Sequence, residues 1–149
     1  MARGASSVGE VRVMPDALHA FTMAICRADG SSAEEARLMA NHLVLANLFG
    51  HDSHGVGMMP VYILNTTTGH CVRNHHAKII RDSGAVIVID GGAGYGQVIA
   101  KEAMDVGIER ARKHDVAVVG LKNSHHIGPL GRALRAGETG EHALFFNSA

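Results

Sequence analysis

Hydrophobic residues recur at helical spacing near the start of the chain. Pro15 is placed for the first turn of a helix, and Asp29-Gly30 supplies the residues that end one. Between them, Leu18, Phe21 and Ile25 fall on one side of a helical wheel. The pattern therefore predicts a first helix with this side facing inward.

A second helix is predicted over residues 33–47. Ser31 with Glu34, or Ser32 with Glu35, has the spacing of a capping box, in which a serine and a glutamate satisfy the first N–H groups of a helix. The expected buried stripe follows the i, i+3, i+4, i+7 rule. Its members are Ala36, Met39, Ala40 and Leu43.

Glycine and histidine then interrupt the helical pattern over residues 50–57, which predicts a turn. Pro60 is placed to open a short helix that ends near Gly69. Residues 71–76 are polar and show no periodicity. Three helices followed by an irregular segment are thus expected in the first half of the chain.

The second half reads as strands alternating with helices. Strands are predicted over 78–81, 85–90 and 116–121, and an amphipathic helix over 97–114. The inward face of this helix is expected to hold Ala100, Met104, Ile108 and Ala111. A further helix over 128–135 and an apolar strand over 143–147 complete the pattern. The sequence predicts an α/β protein whose N-terminal helices precede strand–helix units. The expected organisation is a disordered start (1–13), a helical segment (14–75) and an incomplete cofactor-binding α/β domain (76–149).

Composition excludes several functional classes. The chain has 149 residues, 46% of them hydrophobic, which is enough for one domain with a buried core. Its 14 basic and 14 acidic residues balance, so charge gives no indication of nucleic acid or an anionic membrane as a partner. Cys26 and Cys71 have no metal-type spacing and no secretory segment precedes them, so we expect free thiols in the cytoplasm.

The glycine-rich stretch GGAGYG, at residues 91–96, lies between a predicted strand and a predicted helix. Gly92, Gly94 and Gly96 give G-x-G-x-G rather than the G-x-G-x-x-G of a Rossmann dinucleotide turn. The strand that follows ends at Leu121-Lys122, where no acidic ribose ligand stands. We therefore expect a tight turn that needs small residues, and not a classical Rossmann fold.

Histidines are the candidate functional residues, and they could form either a metal site or an acid–base site. His51, His54, His125 and His126 could form a metal cluster, but glycines argue against the helix from which i, i+3 histidines bind metal best. Acid–base chemistry asks for only one imidazole near a reacting oxygen, because its ordinary pKa of about 6.5 lies close to neutrality. Ser53 could orient the His54 ring or the substrate.

Three stretches together resemble the non-Rossmann malate/L-lactate dehydrogenase family. They are SHGVGMMPVY at 53–62, IDGGAGYGQ at 89–97 and NSHHIGPLG at 123–131. GHDSHGVGM at 50–58 and NHHAK at 74–78 are most similar to its hydroxycarboxylate dehydrogenase branch. The resemblance begins at Pro15 and covers nearly all of the chain after it.

The resemblance implies an NAD- or NADP-dependent enzyme, usually a homodimer, that interconverts 2-hydroxy and 2-oxo acids. It places the catalytic histidines at His126 and His54. It places cofactor contacts at His54 and at Gly128-Pro129-Leu130. Ser53 and His125 are expected to contact the substrate. No metal is implied, and His126 is the favoured acid–base residue, with His54 as competitor or partner.

The sequence departs from the family at two positions. Many members carry a carboxylate-binding arginine where this chain has Met58, and Pro129 removes one N–H donor from the cofactor turn. Family members are also much longer, and the chain ends on an apolar strand, so we expect an N-terminal fragment. A histidine-rich metal-binding protein and a truncated, inactive chain remain the alternatives.

Overall fold

The computed structural model describes residues 12–128. The elements in that part are α1 (Pro15–Ala28), α2 (Ala33–Leu48), α3 (Met59–Thr67), β1 (Lys78–Ser83), β2 (Val86–Asp90), α4 (Gly96–His114) and β3 (Val118–Lys122). Two single 3₁₀ turns, Asp52–His54 and Val56–Met58, join α2 to α3. The disordered start and the helix and strand predicted over 128–135 and 143–147 fall almost entirely outside the described residues, and they stay predictions.

Helix α2 begins at Ser32, whose Oγ accepts a hydrogen bond from the N–H of Glu35 at 3.1 Å. The Glu35 carboxylate does not return to the serine. It accepts instead from the N–H of Asn74 at 2.8 Å, and Asn74 Oδ1 accepts from the Ser32 N–H. The predicted capping box is therefore completed by the segment after α3, which ties that segment to the start of α2.

The helices bury a first core around α2. Its predicted stripe is confirmed, since Ala36, Met39, Ala40 and Leu43 are all fully buried. The face predicted for α1 is wrong in one position, because Phe21 is 59% exposed. The buried residues of α1 are Thr22 and Cys26. Thr22 can be buried because its hydroxyl donates to the carbonyl of Leu18 at 2.7 Å.

The three strands form one sheet in the order β1-β2-β3. Strands β1 and β2 are an antiparallel hairpin, whereas β2 and β3 are parallel, from Val86 opposite Val118 to Asp90 opposite Lys122. Parallel strands need a crossover connection, and α4 supplies it. Ile87, Ile89 and Ala103 form the second core between sheet and helix.

Two details of this unit differ from the sequence prediction. Strand β3 begins at Val118 rather than at residue 116, because its parallel partner β2 begins at Val86, directly opposite Val118. The fully buried side of α4 runs through Ala103 and Gly107, while Met104 and Ile108 are only half-buried. Small residues permit close packing there: a Cβ on Gly107 would lie 3.0 Å from Val119 Cγ2.

The α/β class predicted from the sequence is confirmed. The parallel pair brings the ends of β2 and β3 to one edge of the sheet, beside the first turn of α4. Polar turns follow both strands at this edge. In the described part of the chain, no helix has the length and apolarity needed to cross a bilayer.

Candidate active site

The glycine turn after β2 and the histidine turn after β3 are joined by backbone hydrogen bonds. The N–H of Gly91 donates to the carbonyl of Lys122 at 2.9 Å, and that of Ala93 donates to Asn123 at 2.7 Å. The N–H of His125 then donates back to Gly94 at 3.0 Å. These bonds continue the parallel pairing past the ends of the strands, so the two turns form one unit.

Glycine is required where the histidine turn crosses the start of α4. A Cβ on Gly96 would collide with the backbone carbonyl groups of His125 and His126. A Cβ on Gly92, which has φ 52°, would collide with the His75 ring. The prediction that GGAGYG is a tight strand-to-helix turn agrees with this packing. Because glycine has no side chain, the backbone of the histidine turn can lie directly against the start of α4.

His126 is anchored from behind by two residues of different helices. Its Nδ1 atom lies 3.0 Å from the hydroxyl oxygen of Tyr62, which is 1% exposed. Gln97, in the first turn of α4, donates from Nε2 to the same oxygen at 2.5 Å. No described residue bonds to Nε2 of His126, so that nitrogen is the one available for chemistry.

His125 is the more buried of the two adjacent histidines, and it packs against the same helix, α3. Its Nε2 lies 2.9 Å from the amide nitrogen of Asn65, which can only donate, and its ring packs 5.7 Å from that of Tyr62. Burial lowers the pKa of His125, and the neighbouring His126 adds to the effect. A neutral ring that accepts at Nε2 carries its proton on Nδ1, a buried atom without a partner among the described residues.

His54 reaches the site from the turn between α2 and α3. The side chain of Asn47 holds that turn: Oδ1 accepts from the N–H of Val56 at 2.8 Å, and Nδ2 donates to Asp52 at 2.6 Å. The hydroxyl of Ser53 lies 2.9 Å from Nδ1 of His54. Ser53 is thus placed to orient the ring, and that role stays a prediction.

The rings of His54 and His126 stack, with centroids 5.5 Å apart and planes inclined by 24°. Each ring has Nδ1 close to a hydroxyl and Nε2 without a described partner. The pKa of His126 is lowered, first by desolvation and then by the proximity of His54. A lowered pKa favours the neutral ring at neutral pH, which is the form that accepts a proton.

The structure thus brings four of the predicted site residues together: Ser53, His54, His125 and His126. Gly128 lies nearby with φ 81°, and a Cβ there would approach Nε2 of His42 to 2.9 Å. Pro129 and Leu130 lie outside the described residues, so their predicted cofactor contacts stay predictions.

Sequence reasoning missed the supporting residues Asn47, Tyr62, Asn65 and Gln97. Tyr62 and Asn65 are three apart in α3, so they share one helix face and meet the two adjacent histidines. A tyrosine and an asparagine at this spacing in a short apolar helix were a usable signal. The partners of Asn47 and Gln97 are distant or dependent on turn geometry, and no comparable pattern in the sequence indicates them.

A metal centre receives no support from this geometry. Among residues 12–128, no three or more His, Cys, Asp or Glu side chains come together in a way that could hold a metal ion. His51 and His54 are the ligand pair considered from the sequence. His51 lies just before a 3₁₀ turn and His54 is the last residue of that turn, so the two do not share a face of an α-helix.

Comparison with known proteins identifies relatives over most of the chain. The model of the malate/L-lactate dehydrogenase family matches residues 13–147. Hydroxycarboxylate dehydrogenase B of Escherichia coli O157:H7 is 53% identical over 114 residues, which are 76% of this chain and 32% of that protein.

Solved structures give the same result. Malate dehydrogenase from Pyrococcus horikoshii OT3 superposes with a TM-score of 0.85 at 30% identity, covering 93% of this chain and 40% of that one. Sulfolactate dehydrogenase from Methanocaldococcus jannaschii superposes with a TM-score of 0.80 at 32% identity, covering 85% and 37%. The chain therefore spans between about a third and two fifths of the length of these relatives.

Proposed function

We propose, because this chain belongs to the malate/L-lactate dehydrogenase family, that it forms part of an oxidoreductase that interconverts 2-hydroxy acids and 2-oxo acids. The observation that carries the proposal is the stacked pair of His54 and His126, each fixed at Nδ1 and open at Nε2. An imidazole held in this way can give or take a proton at a defined atom.

In the proposed reaction, His126 is the acid–base residue. Protonated His126 donates from Nε2 to the substrate oxygen during reduction of the 2-oxo acid. Neutral His126 accepts the hydroxyl proton at the same atom during oxidation. His54, stacked against it, positions the substrate oxygen with its own Nε2 and is the competitor for the acid–base role. Ser53 fixes the direction of the His54 ring.

A nicotinamide cofactor, NAD or NADP, is proposed to supply the hydride acceptor or donor. The described residues fit such a group chemically, since two imidazole rings offer flat faces and N–H donors. His125 Nδ1 is in addition a buried polar atom that lacks a described partner. His54 and Gly128 would hold the cofactor, together with Pro129 and Leu130.

The substrate is proposed to be a small 2-hydroxy or 2-oxo acid, in line with the names of the relatives. Met58 is half-buried, packs against the first core and has a thioether that cannot bind a carboxylate. The carboxylate therefore needs another partner, and His125 is the candidate within the described residues. We further propose a homodimer in the cytoplasm. The two cysteines, both free and buried, accord with a reducing compartment.

Two measurements test the proposal. The first titrates the 149-residue chain with NADH and NADPH, followed by nicotinamide fluorescence with and without a chelator. The second assays a longer protein that contains this chain against a panel of 2-oxo acids. Metal-independent binding that is weakened by His54→Ala but not by His51→Ala supports the site, because His51 is an exposed neighbour in the same turn.

The second assay decides the reaction. Turnover of at least one 2-oxo acid with oxidation of the reduced cofactor supports the proposal. A longer protein that binds the cofactor but turns over no 2-oxo acid would overturn the substrate class. Binding by the longer protein alone would show that this chain is the inactive truncated form.

A further inference from the structure

Gln97 is a buried amide with one end satisfied and the other not. Its side chain is almost fully enclosed, at 6% exposed, and Nε2 donates to the hydroxyl oxygen of Tyr62. Its Oε1 is buried without a partner among the described residues. A buried carbonyl oxygen without a donor is unfavourable and calls for an explanation. The neighbouring acid–base site supplies one.

The hydrogen bonds around Tyr62 have a direction. A phenol has a single hydrogen, so when Gln97 donates to the Tyr62 oxygen, that hydrogen is available to donate to Nδ1 of His126. Neutral His126 then carries its own proton on Nε2. This arrangement satisfies His126, but it leaves no lone pair at Nε2 to accept a proton.

Acid–base work at Nε2 requires the opposite direction. Both the imidazolium and the neutral ring with a free Nε2 carry a proton on Nδ1, which must donate to the Tyr62 oxygen. The Tyr62 hydrogen must then turn to another acceptor. Gln97 can supply one, because a half-turn of its amide exchanges Nε2 for the unpartnered Oε1.

We propose that Gln97 is a positioning residue that, by a half-turn of its amide, reverses the hydrogen bonds through Tyr62 and so decides which nitrogen of His126 holds the proton. The inference rests on the proposed function only for its catalytic meaning, since the tautomer of His126 is a property of the chain itself. Tyr62 keeps its proton throughout, because burial raises the pKa of its phenol to about 12.

The other titratable groups that face His126 are known for each element that packs against it. His54 faces it from the turn between α2 and α3, Tyr62 from α3, and His125 precedes it in the chain. Gln97 is the contribution of α4. The His42 ring of α2 lies near the Gln97 amide, since a Cβ on Gly128 would approach both side chains. None of these groups is a carboxylate, so a carboxylate introduced at Gln97 would be a new charge at the site.

The test is nitrogen-15 NMR of the histidine rings in the 149-residue chain across the pH range, without ligand. This measurement gives the tautomer and the titration midpoint of His126. In Gln97→Glu the new carboxylate can only accept a hydrogen bond from Tyr62. We therefore expect His126 to be protonated on Nδ1 and its titration midpoint to rise by about one pH unit or more. In Gln97→Met the side chain offers Tyr62 neither a donor nor an amide oxygen as acceptor. We therefore expect neutral His126 to be protonated on Nε2 and its titration midpoint to lie below that of the unchanged chain.

Two controls separate the hydrogen-bond chain from plain charge attraction. In a Tyr62→Phe background the Gln97→Glu shift should largely vanish, because the connecting hydroxyl is gone. Glu102→Gln, on the same helix, should move the midpoint of His76, whose Nδ1 lies 2.6 Å from that carboxylate, and leave His126 unchanged. If the Gln97→Met variant does not fold, the comparison of Gln97→Glu alone with Gln97→Glu in the Tyr62→Phe background is sufficient.

An unchanged His126 tautomer and midpoint in Gln97→Glu would overturn the proposal, and so would a full shift that survives Tyr62→Phe. In the longer protein, the acidic limb of the kcat/KM profile should move in the same direction as the NMR midpoint. If that protein has no dehydrogenase activity, the NMR result still decides the role of Gln97, and only the proposed function fails.

Discussion

The imidazole rings of His54 and His126 stack at 5.5 Å, although they come from opposite halves of the described chain. One ring is delivered by a turn that follows α2, and the other by the turn that follows β3. Their meeting requires the helical layer and the sheet to pack correctly. The site therefore forms only when the tertiary fold is correct, and substitutions that disturb either turn should affect it measurably.

Replacement of His126 by alanine in the longer protein should lower kcat by about 10²- to 10⁴-fold, because a general acid–base is lost. Steady-state kinetics with a reactive 2-oxo acid checks this. His51→Ala is the matched control and should retain activity. If His126→Ala keeps its kcat and His54→Ala abolishes it, the acid–base role belongs to His54.

Asn47 should control the position of His54 without touching it. Asn47→Ala removes the acceptor for the Val56 N–H and the donor to Asp52, so the turn loses both of its side-chain anchors. We expect a loss of about 1 kcal/mol in unfolding free energy and a larger effect on activity, about 10- to 100-fold. Asn41→Ala, which removes a bond to His19 elsewhere on α2, is the control. Equal activity in the two variants would contradict this role.

Gly96→Ala should be destabilising, because its Cβ would meet the backbone of His125 and His126. Overpacking of this kind costs about 1–3 kcal/mol, and here it also displaces the histidine turn. Urea denaturation of the chain measures the cost. Gly57→Ala should lie within about 0.5 kcal/mol of the unchanged chain, since a Cβ there meets nothing within 4 Å. Similar losses for both variants would argue against this contact.

Acid should destabilise the site through its histidines. The pKa values of His125 and His126 are lowered by burial, so the unfolded chain binds more protons as the pH falls below about 6.5. Their contribution to stability is complete above that pH and is lost as the pH falls through the folded pKa values. Thermal melting at neutral and acidic pH should show a lower Tm in acid.

His76 provides the opposite case and hence a control for the acid effect. Its pKa is raised by the hydrogen bond to Glu102, so its contribution is present in acid and is lost as the pH rises. Removal of this ring by His76→Asn should make the acid destabilisation steeper, whereas His125→Gln should make it shallower. An unchanged pH dependence in His125→Gln would assign the effect to other groups.

The two cysteines should be inert in the folded chain. Cys26 is 0% and Cys71 2% exposed, and burial, with smaller contributions from nearby charges, raises their pKa values to about 11 and about 12. Because the thiolate is the reactive form, Ellman's reagent should react slowly in buffer and rapidly with both thiols in denaturing guanidinium chloride. Fast reaction of either thiol in buffer would contradict its described burial.

Local patterns predicted much of this fold. The start of α2, its buried stripe and the hairpin after residue 78 depend on neighbours close in sequence, and all were predicted. The inward face of α1 was not, because Phe21 is apolar while the packed surface runs through Thr22. Which side of a helix is covered depends on its partner helix, and a single periodicity cannot identify that partner.

The site shows the same division. His54 and His126 could be proposed because they stand in polar turns with glycine. Tyr62 and Gln97 could not, since their importance arises only when α3 and α4 meet behind His126. The hydrogen bond of His125 has the same origin: its partner Asn65 lies on α3, sixty residues earlier in the chain. The side chains that support such a site depend on tertiary packing, and a single sequence contains little information about that packing.

The backbone bonds between the glycine turn and the histidine turn have a consequence for engineering. Because Ala93 is bonded to Asn123 and Gly94 to His125, neither turn can be lengthened or exchanged without the other. The turn that carries His54 is held separately, by the side-chain hydrogen bonds of Asn47 and by the packing of Val56 and Met58 on the first core. Mutant libraries that seek a new substrate preference should therefore vary the residues around His54. The glycine turn and the histidine turn should be left unchanged in such libraries.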